Sequence, residues 1–105
     1  MQSEFQLKIA NLSFLSDTNK FLLQVSQKDP VLSELITAKI PKKDIFWLGE
    51  LKSWEINNKW IIEVADICIE AYDQVFFDHG DEFLLDLKEE SSYKEFKKRV
   101  FNNNL

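Results

Sequence analysis

The chain has few of the residues that interrupt regular secondary structure. Of its 105 residues, only two are Gly and two are Pro. A sandwich or barrel of short strands needs turn residues about every 8–12 positions. A sequence this poor in turn residues, yet rich in Leu, Lys and Glu, favours helices joined by short links.

Cysteine and histidine occur once each, as Cys68 and His79. A single cysteine excludes an intramolecular disulfide framework. The two residues are eleven positions apart, which is about 16 Å along a helix, whereas a nucleophile and its base must lie within about 3 Å of each other. On one helix they cannot form a catalytic dyad. We interpret Cys68 as a small core side chain, with a reactive thiol as the alternative.

The usual motifs of cofactor and metal sites are also missing. Gly49 and Gly80 are isolated from each other, so the chain has no Gly-rich phosphate loop. The single His lies outside the motif of carboxylate di-metal proteins, and residues 78–82 lack the spacing of a calcium loop. We therefore expect no cofactor, no metal and no enzymatic activity, with a small metal-dependent enzyme as the weaker alternative.

Signals for export or membrane insertion are not visible either. The chain does not open with a basic region followed by an apolar run. Its longest apolar stretch, residues 60–77, contains four acidic residues, which argues against a membrane span. These features predict a cytoplasmic protein that does not associate with membranes.

Apolar and aromatic side chains, in contrast, are abundant. They make up 45% and 13% of the residues, including nine Phe and three Trp. This is enough for the core of one small domain spanning residues 1–105. We expect an all-α fold, a small helical bundle of about five to six helices.

The N-terminal segment fits two structures. Phe5, Ile9 and Leu12 recur at helical spacing, whereas Phe5, Leu7 and Ile9 alternate as in a strand. We favour a helix over roughly 4–14. A short strand is the alternative, and it would make the fold α+β.

Several helix boundaries are indicated by capping residues. Asp29 is an N-cap, Pro30 suits the first helical position, and Pro41 ends that helix. Further starts are predicted at Ser16, Asp44, Asn57-Asn58, Asp81 and the Ser92–Glu95 capping box. A turn at Asn57-Asn58 and a strand after Asp81 are the alternatives there. The predicted buried face of the Pro30 helix is Val31, Leu32, Leu35 and Ile36.

The longest predicted helix covers residues 58–79. Its apolar positions at helical spacing are Ile61, Val64, Ala65, Cys68, Tyr72 and Val75. Gly80 is a suitable residue to end it. A helix of this length would extend about 33 Å.

The net charge of −5 is distributed unevenly. Residues 1–59 carry a balance of +1, residues 60–90 a balance of −9 and residues 91–105 a balance of +3. Such a distribution argues against nucleic acid as a ligand, because phosphate binding needs a basic surface. Four acids of the long helix, Glu63, Asp66, Glu70 and Asp73, fall on one stripe. This stripe is either the solvated face of the helix or a surface for a basic partner.

Aromatic residues provide the second candidate surface. Trp47, Trp54 and Trp60 lie close together in the sequence, with Phe46 beside them. They belong either to the core or to a partner surface, since Trp is enriched at binding hot spots.

These features together predict an acidic, helical protein-binding module or adaptor. Within that class we favour an inhibitor or immunity-type protein for a basic target. A structural or homo-oligomeric subunit, such as a homodimer, is the alternative. The candidate partner-binding residues are Glu63, Asp66, Glu70, Asp73, Trp47, Trp54 and Trp60. The sequence does not decide between the acidic and the aromatic set, and it does not name the partner.

Overall fold

Strands outnumber helices in this protein. The computed structural model describes residues 7–15, 18–27, 29–78 and 84–103, with side chains as far as Val100. The strands are β1 (Ile9–Leu15), β2 (Lys20–Val25), β3 (Ile45–Leu48), β4 (Ser53–Asn57), β5 (Gln74–Asp78) and β6 (Leu84–Asp86), and the helices are α1 (Pro30–Lys39), α2 (Ile61–Ala71) and α3 (Glu90–Asn103). Short 3₁₀ turns, Lys42–Asp44 and Asn58–Trp60, precede β3 and α2. The prediction of an all-α helical bundle is therefore wrong, and the fold is α+β.

The six strands form one mixed sheet in the order β3-β4-β2-β1-β5-β6. The central strands β1 and β5 pair in parallel, and every other pair of neighbours is antiparallel. Within the described ranges, β3 and β6 are the two edges of this sheet.

β1 and β2 form a hairpin because their side chains alternate between buried and solvent-facing positions. Ala10 and Leu12 of β1, like Phe21 and Leu23 of β2, are fully buried, and the residues between them are partly exposed. This is the period of two that defines a strand with one face in a core. The strand alternative for the N-terminal segment is thus confirmed, and the helix predicted over 4–14 is wrong from Ile9 onward.

The hairpin turns do not depend on glycine at their left-handed positions. Asn19, between β1 and β2, has φ 59°, and Lys52, between β3 and β4, has φ 50°. Asn tolerates this conformation well, and Lys adopts it at some cost. The low Gly count was therefore a misleading argument against a sheet.

Two further predicted helices are strands instead, and a third is too long. The helix expected after Ser16 is β2, and the helix expected from Asp44 is the β3–β4 hairpin. The helix of residues 58–79 is too long, because α2 ends at Ala71 and β5 follows it. In β5 the buried residues Val75 and Phe77 alternate with partly exposed ones. After residue 83, the strand alternative is confirmed by β6, whereas Ser16, His79, Gly80 and Asp81 lie outside the described residues.

α1 begins and ends as predicted. The carboxylate of Asp29 accepts hydrogen bonds from the backbone N–H groups of Val31 at 2.9 Å and Leu32 at 3.3 Å. The ammonium of Lys8 donates to the same carboxylate at 2.6 Å and lowers the pKa of Asp29 below its ordinary value, and the two backbone bonds add to this effect. Only half of the predicted buried face is correct. Leu32 and Ile36 are buried, but Val31 and Leu35 are 60% and 47% exposed.

α3 confirms the last predicted helix, although it begins at Glu90, two residues before the expected cap at Ser92. Phe96 is fully buried and meets Phe77 of β5 edge to face, with 4.9 Å between the ring centroids. Tyr93 packs against the same core. The helix therefore packs an aromatic face against the sheet.

All three helices pack on one face of the sheet. The buried apolar side chains of the strands share a single register face, and they form one core with the buried residues of α1, α2 and α3. On the opposite face the central residues Asn11, Ser13 and Leu22 remain partly exposed. No described element covers this open face, so the molecule is a two-layer structure.

Candidate interaction surface

The β3–β4 hairpin forms one edge of the sheet and exposes a concentration of large apolar side chains. Phe46 is 65% exposed, Trp47 is 46% exposed, and Leu51 in the connecting turn is 54% exposed. Trp54 lies directly opposite Trp47 in the strand register, and their ring centroids are 5.0 Å apart at an interplanar angle of 62°. We refer to these four residues as the hairpin patch.

The patch reaches both faces of the sheet because neighbouring residues of a strand point in opposite directions. Trp47 and Trp54 share the register face of the core residues, whereas Phe46 shares the open face with Glu55. Exposed aromatic residues therefore lie on both sides of the same edge strand. A strand in the interior of the sheet would have at least one of its two faces buried.

Two clefts flank the hairpin, one on each face. The larger, of about 400 Å³, lies on the helix side and is lined by Val25, Trp47, Trp54 and Lys52, among others. The smaller, of about 250 Å³, is lined mainly by open-face residues, including Phe46, Glu55 and Lys20. The first has an apolar floor with a cation at its rim, and the second is mixed in polarity.

The charged residues near the hairpin fall into two groups. Asp44 and Glu55 are engaged, since Asp44 lies 3.4 Å from the ammonium of Lys59, and Glu55 lies 3.5 Å from that of Lys20. A second group is exposed, and it consists of Lys42, Lys43, Lys52 and Glu50. The hydrogen bonds and ion pairs found within residues 18–27 and 29–78 engage none of the three lysine side chains in this group. The surroundings of the patch are therefore basic, although the whole chain is acidic.

Trp60 does not belong to the hairpin patch. Its indole N–H donates to the carboxylate of Asp44 at 2.9 Å, and this bond is the main reason that the pKa of Asp44 is lowered. The ring packs against the core at the start of α2. Of the three predicted Trp residues, the structure brings Trp47 and Trp54 together and assigns Trp60 a structural contact.

The predicted acidic stripe is divided by the fold. Glu63, Asp66 and Glu70 lie on α2, but Asp73 lies beyond its end and accepts a hydrogen bond from the backbone N–H of Lys8 at 2.9 Å. The four acids therefore do not share one helix face, contrary to the prediction.

Of the three helical acids, one is hydrogen-bonded within the molecule and another is partly buried. Asp66 accepts a hydrogen bond from the hydroxyl of Tyr93 at 2.5 Å, although its side chain remains exposed. One oxygen of Glu63 is buried and has no partner among the described residues. Glu70 is exposed. Asp66 and Glu70 are thus the members of the set that face solvent on α2.

The acidic helix and the hairpin patch lie in different parts of the molecule. α2 packs against β5, which is four strands away from β3 in the sheet. At a spacing of about 4.8 Å between strands, β5 and β3 are about 19 Å apart. The two candidate sets therefore lie over different strands of the sheet.

The residues considered for chemistry do not assemble a reactive site in the described part of the chain. Cys68 is fully buried in α2, and this burial raises the pKa of its thiol to about 12, which confirms its interpretation as a core side chain. His79, which the sequence spacing excluded as a base for Cys68 on one helix, lies outside the described residues. Across residues 7–15, 18–27, 29–78 and 84–103, no three His, Cys, Asp or Glu side chains come together as a metal site. No described helix has the length and apolarity needed to cross a membrane.

Sequence reasoning missed Leu51 as a member of the surface, and it noted Phe46 beside the Trp residues without including it among the candidate partner-binding residues. Alternation around Gly49 could have indicated a hairpin, because Trp47 and Trp54 then fall opposite each other. Comparisons with protein-family models, curated proteins and solved structures find no match to this chain.

Proposed function

We propose that this protein is a protein-binding module and that it contacts its partner through the hairpin patch. The observation that supports the proposal is the exposure of Phe46, Trp47 and Leu51 together on one edge hairpin. Large aromatic residues in a contiguous exposed patch are typical of interaction sites, and Trp is among the residues that contribute most to binding. The proposed activity is recognition rather than catalysis, and we place it in the cytoplasm.

A partner surface explains the hairpin residues better than membership of the core does. A core aromatic of this protein, such as Phe21 or Phe77, has no exposed surface. An exposed apolar edge is also a liability for aggregation, and a partner that covers it would remove the liability.

A second candidate is an inhibitor or immunity-type protein that binds a basic target through α2. The exposed carboxylates of Asp66 and Glu70, within a segment whose charge balance is −9, favour this mode. Acidic side chains would accelerate association with a basic surface, and the effect would weaken as salt is added. This mode would leave the hairpin patch uncovered.

The two modes can be separated by capture experiments in the native host. The tagged wild type is compared with three double variants, and captured proteins are quantified by mass spectrometry. The hairpin variant is Phe46→Asp with Leu51→Asp, and the acidic variant is Asp66→Lys with Glu70→Lys. The matched control on α1 is Val31→Asp with Leu35→Asp, which makes the same kind of change at apolar side chains of similar exposure.

The proposal predicts that the hairpin variant loses a partner that the other two variants retain. Loss only in the acidic variant would favour the second candidate instead. A wild type that forms a homodimer, dissociated by the hairpin substitutions and by no other pair, would make the partner a second copy. Retention of the same partners by all three variants would refute both modes. Circular dichroism of each variant establishes that it is folded.

A further inference from the structure

Strand β3 presents an edge without the usual protection. A strand at the edge of a sheet directs backbone N–H and C=O groups outward, and proteins usually blunt such edges with charges, proline, bulges or very short strands. Residues Ile45–Leu48 contain no charge and no proline, and they pair with β4 over the whole strand without a bulge. The opposite edge differs, since the described residues of β6, Leu84–Asp86, include the charged Asp86. Of the two edges, β3 is therefore the one that can accept another strand.

The two clefts lie where alternate side chains of such an added strand would be placed. Successive side chains of an added strand would point to opposite faces of the sheet. One side chain would then face the cleft of about 400 Å³ over Val25, Trp47 and Trp54, and its neighbour would face the cleft of about 250 Å³ beside Phe46. An apolar side chain suits the larger cleft because its floor consists of a Val and two Trp side chains.

The charges around β3 specify the flanks of the added strand. Lys42 and Lys43 immediately precede β3, and Lys52 lies at the rim of the larger cleft. Acidic residues on either side of an apolar segment would meet these lysines. A second copy would bring the same surroundings, three exposed lysines against the single Glu50, to this edge, and the net repulsion between two basic surfaces disfavours the pairing of two β3 strands.

We propose that β3 receives an extended, acid-flanked apolar segment of another protein, which pairs with it as a seventh strand. The inference rests on the proposed function, since it names the partner chemistry of the hairpin patch. Backbone hydrogen bonds would contribute affinity whatever the side chains of the added segment are. The clefts and the lysines would select the side chains and charges of that segment.

Two synthetic peptides test the proposal with the intact protein. Both have the core Thr-Val-Trp-Val-Thr, and one carries Asp at each end while the other carries Lys. Binding is followed by the backbone amide shifts in NMR spectra of the labelled protein. The Asp-flanked peptide is expected to bind about tenfold tighter, with the largest shifts in Ile45–Leu48.

Two controls distinguish strand addition from simple charge attraction. An Asp-flanked peptide with N-methyl groups on all of its core amides has no edge that can complete the ladder, so its affinity should fall to that of the Lys-flanked peptide or below. A Lys43→Glu, Lys52→Glu variant should reverse the preference between the two charged peptides. Val31→Asp, distant from β3 in the chain, should leave the preference unchanged.

Several outcomes would overturn the inference. They are equal affinity of the Asp- and Lys-flanked peptides, full binding of the N-methylated peptide, or no binding of either peptide at about 1 mM. If native capture nevertheless depends on the hairpin residues, the proposed function stands and only the partner chemistry fails. If capture does not depend on them, the proposed function itself fails.

Discussion

The same substitution at two Phe residues should have very different effects on stability. Phe46 in β3 is 65% exposed, whereas Phe77 in β5 has no exposed surface and packs against Phe96. If Phe46 is retained for a partner rather than for folding, Phe46→Ala should cost little and Phe77→Ala should cost much.

The expected magnitudes follow from the areas that each ring buries. A Phe that is fully enclosed buries about 200 Å², which at about 25 cal/mol per Å² corresponds to roughly 5 kcal/mol. Measured Phe→Ala changes in protein cores cost about 3–5 kcal/mol. Phe46 buries about a third as much surface, so its replacement should cost about 1.5 kcal/mol or less. We therefore expect a ratio of about three between the two losses.

Urea unfolding followed by far-UV circular dichroism measures both free energies of unfolding. If Phe77→Ala does not fold, the milder pair Phe77→Leu and Phe46→Leu provides the same comparison. A loss at Phe46 as large as the loss at Phe77 would refute the reasoning, because Phe46 would then be part of the folding core.

Three further predictions concern the titratable groups. Cys68 should not react with a water-soluble disulfide reagent until the protein unfolds, because burial raises its pKa to about 12; rapid labelling of the native protein would contradict this. Burial likewise raises the pKa of Tyr72 and Tyr93 to about 12, helped at Tyr93 by Asp66. The phenolate absorbance of the folded protein should therefore stay low near pH 10. The stability that the two protonated tyrosines contribute is present below pH 10 and is lost as the pH rises towards 12. A tyrosine titration of the folded protein with an ordinary midpoint near 10 would contradict this prediction. Asp29 has a lowered pKa, so its ionised form stabilises the fold above the ordinary value of 3.8 and this contribution is lost as the pH falls through the folded pKa. Asp29→Asn should flatten the acid side of the stability profile measured by urea unfolding, and an unchanged profile would contradict the assignment.

Local capping signals in the sequence were reliable guides to structure. Asp29 and Pro30 correctly predicted the start of α1, and Pro41 its end, because these residues act on the backbone directly and need no tertiary context. Asn57 caps the 3₁₀ turn before α2 by accepting from the N–H of Lys59, as the turn alternative predicted. Such contacts span two or three residues, so the sequence alone contains them.

The spacing of apolar residues and the small number of turn residues gave wrong predictions where the pattern fitted both a helix and a strand. Phe21 and Val25 are four residues apart, which fits a helix, but with Leu23 they also alternate, which fits the observed strand. This segment is a strand because it pairs with β1 and β4, and such long-range pairing is not visible in one sequence. The end of α2 was missed for a similar reason, since Tyr72 and Asp73 leave the helix without a Gly or Pro to mark it.

The candidate surface was predicted only in part. The aromatic cluster was recognised from its position in the sequence, but the pairing of the exposed Trp47 with the partly buried Trp54, and the separate structural contact of Trp60, depend on the fold. The acidic stripe was derived from a helix that ends before Asp73, so its geometry changed with the fold.

The most direct test of the account is the affinity of a captured partner for two single variants. Phe46→Ala removes an exposed ring of the hairpin patch, and Val31→Ala removes a similarly exposed side chain from α1. Titration calorimetry should give a dissociation constant at least about tenfold higher for Phe46→Ala and nearly unchanged for Val31→Ala. Equal effects of the two substitutions, or none at Phe46, would contradict the assignment of the hairpin as the binding surface.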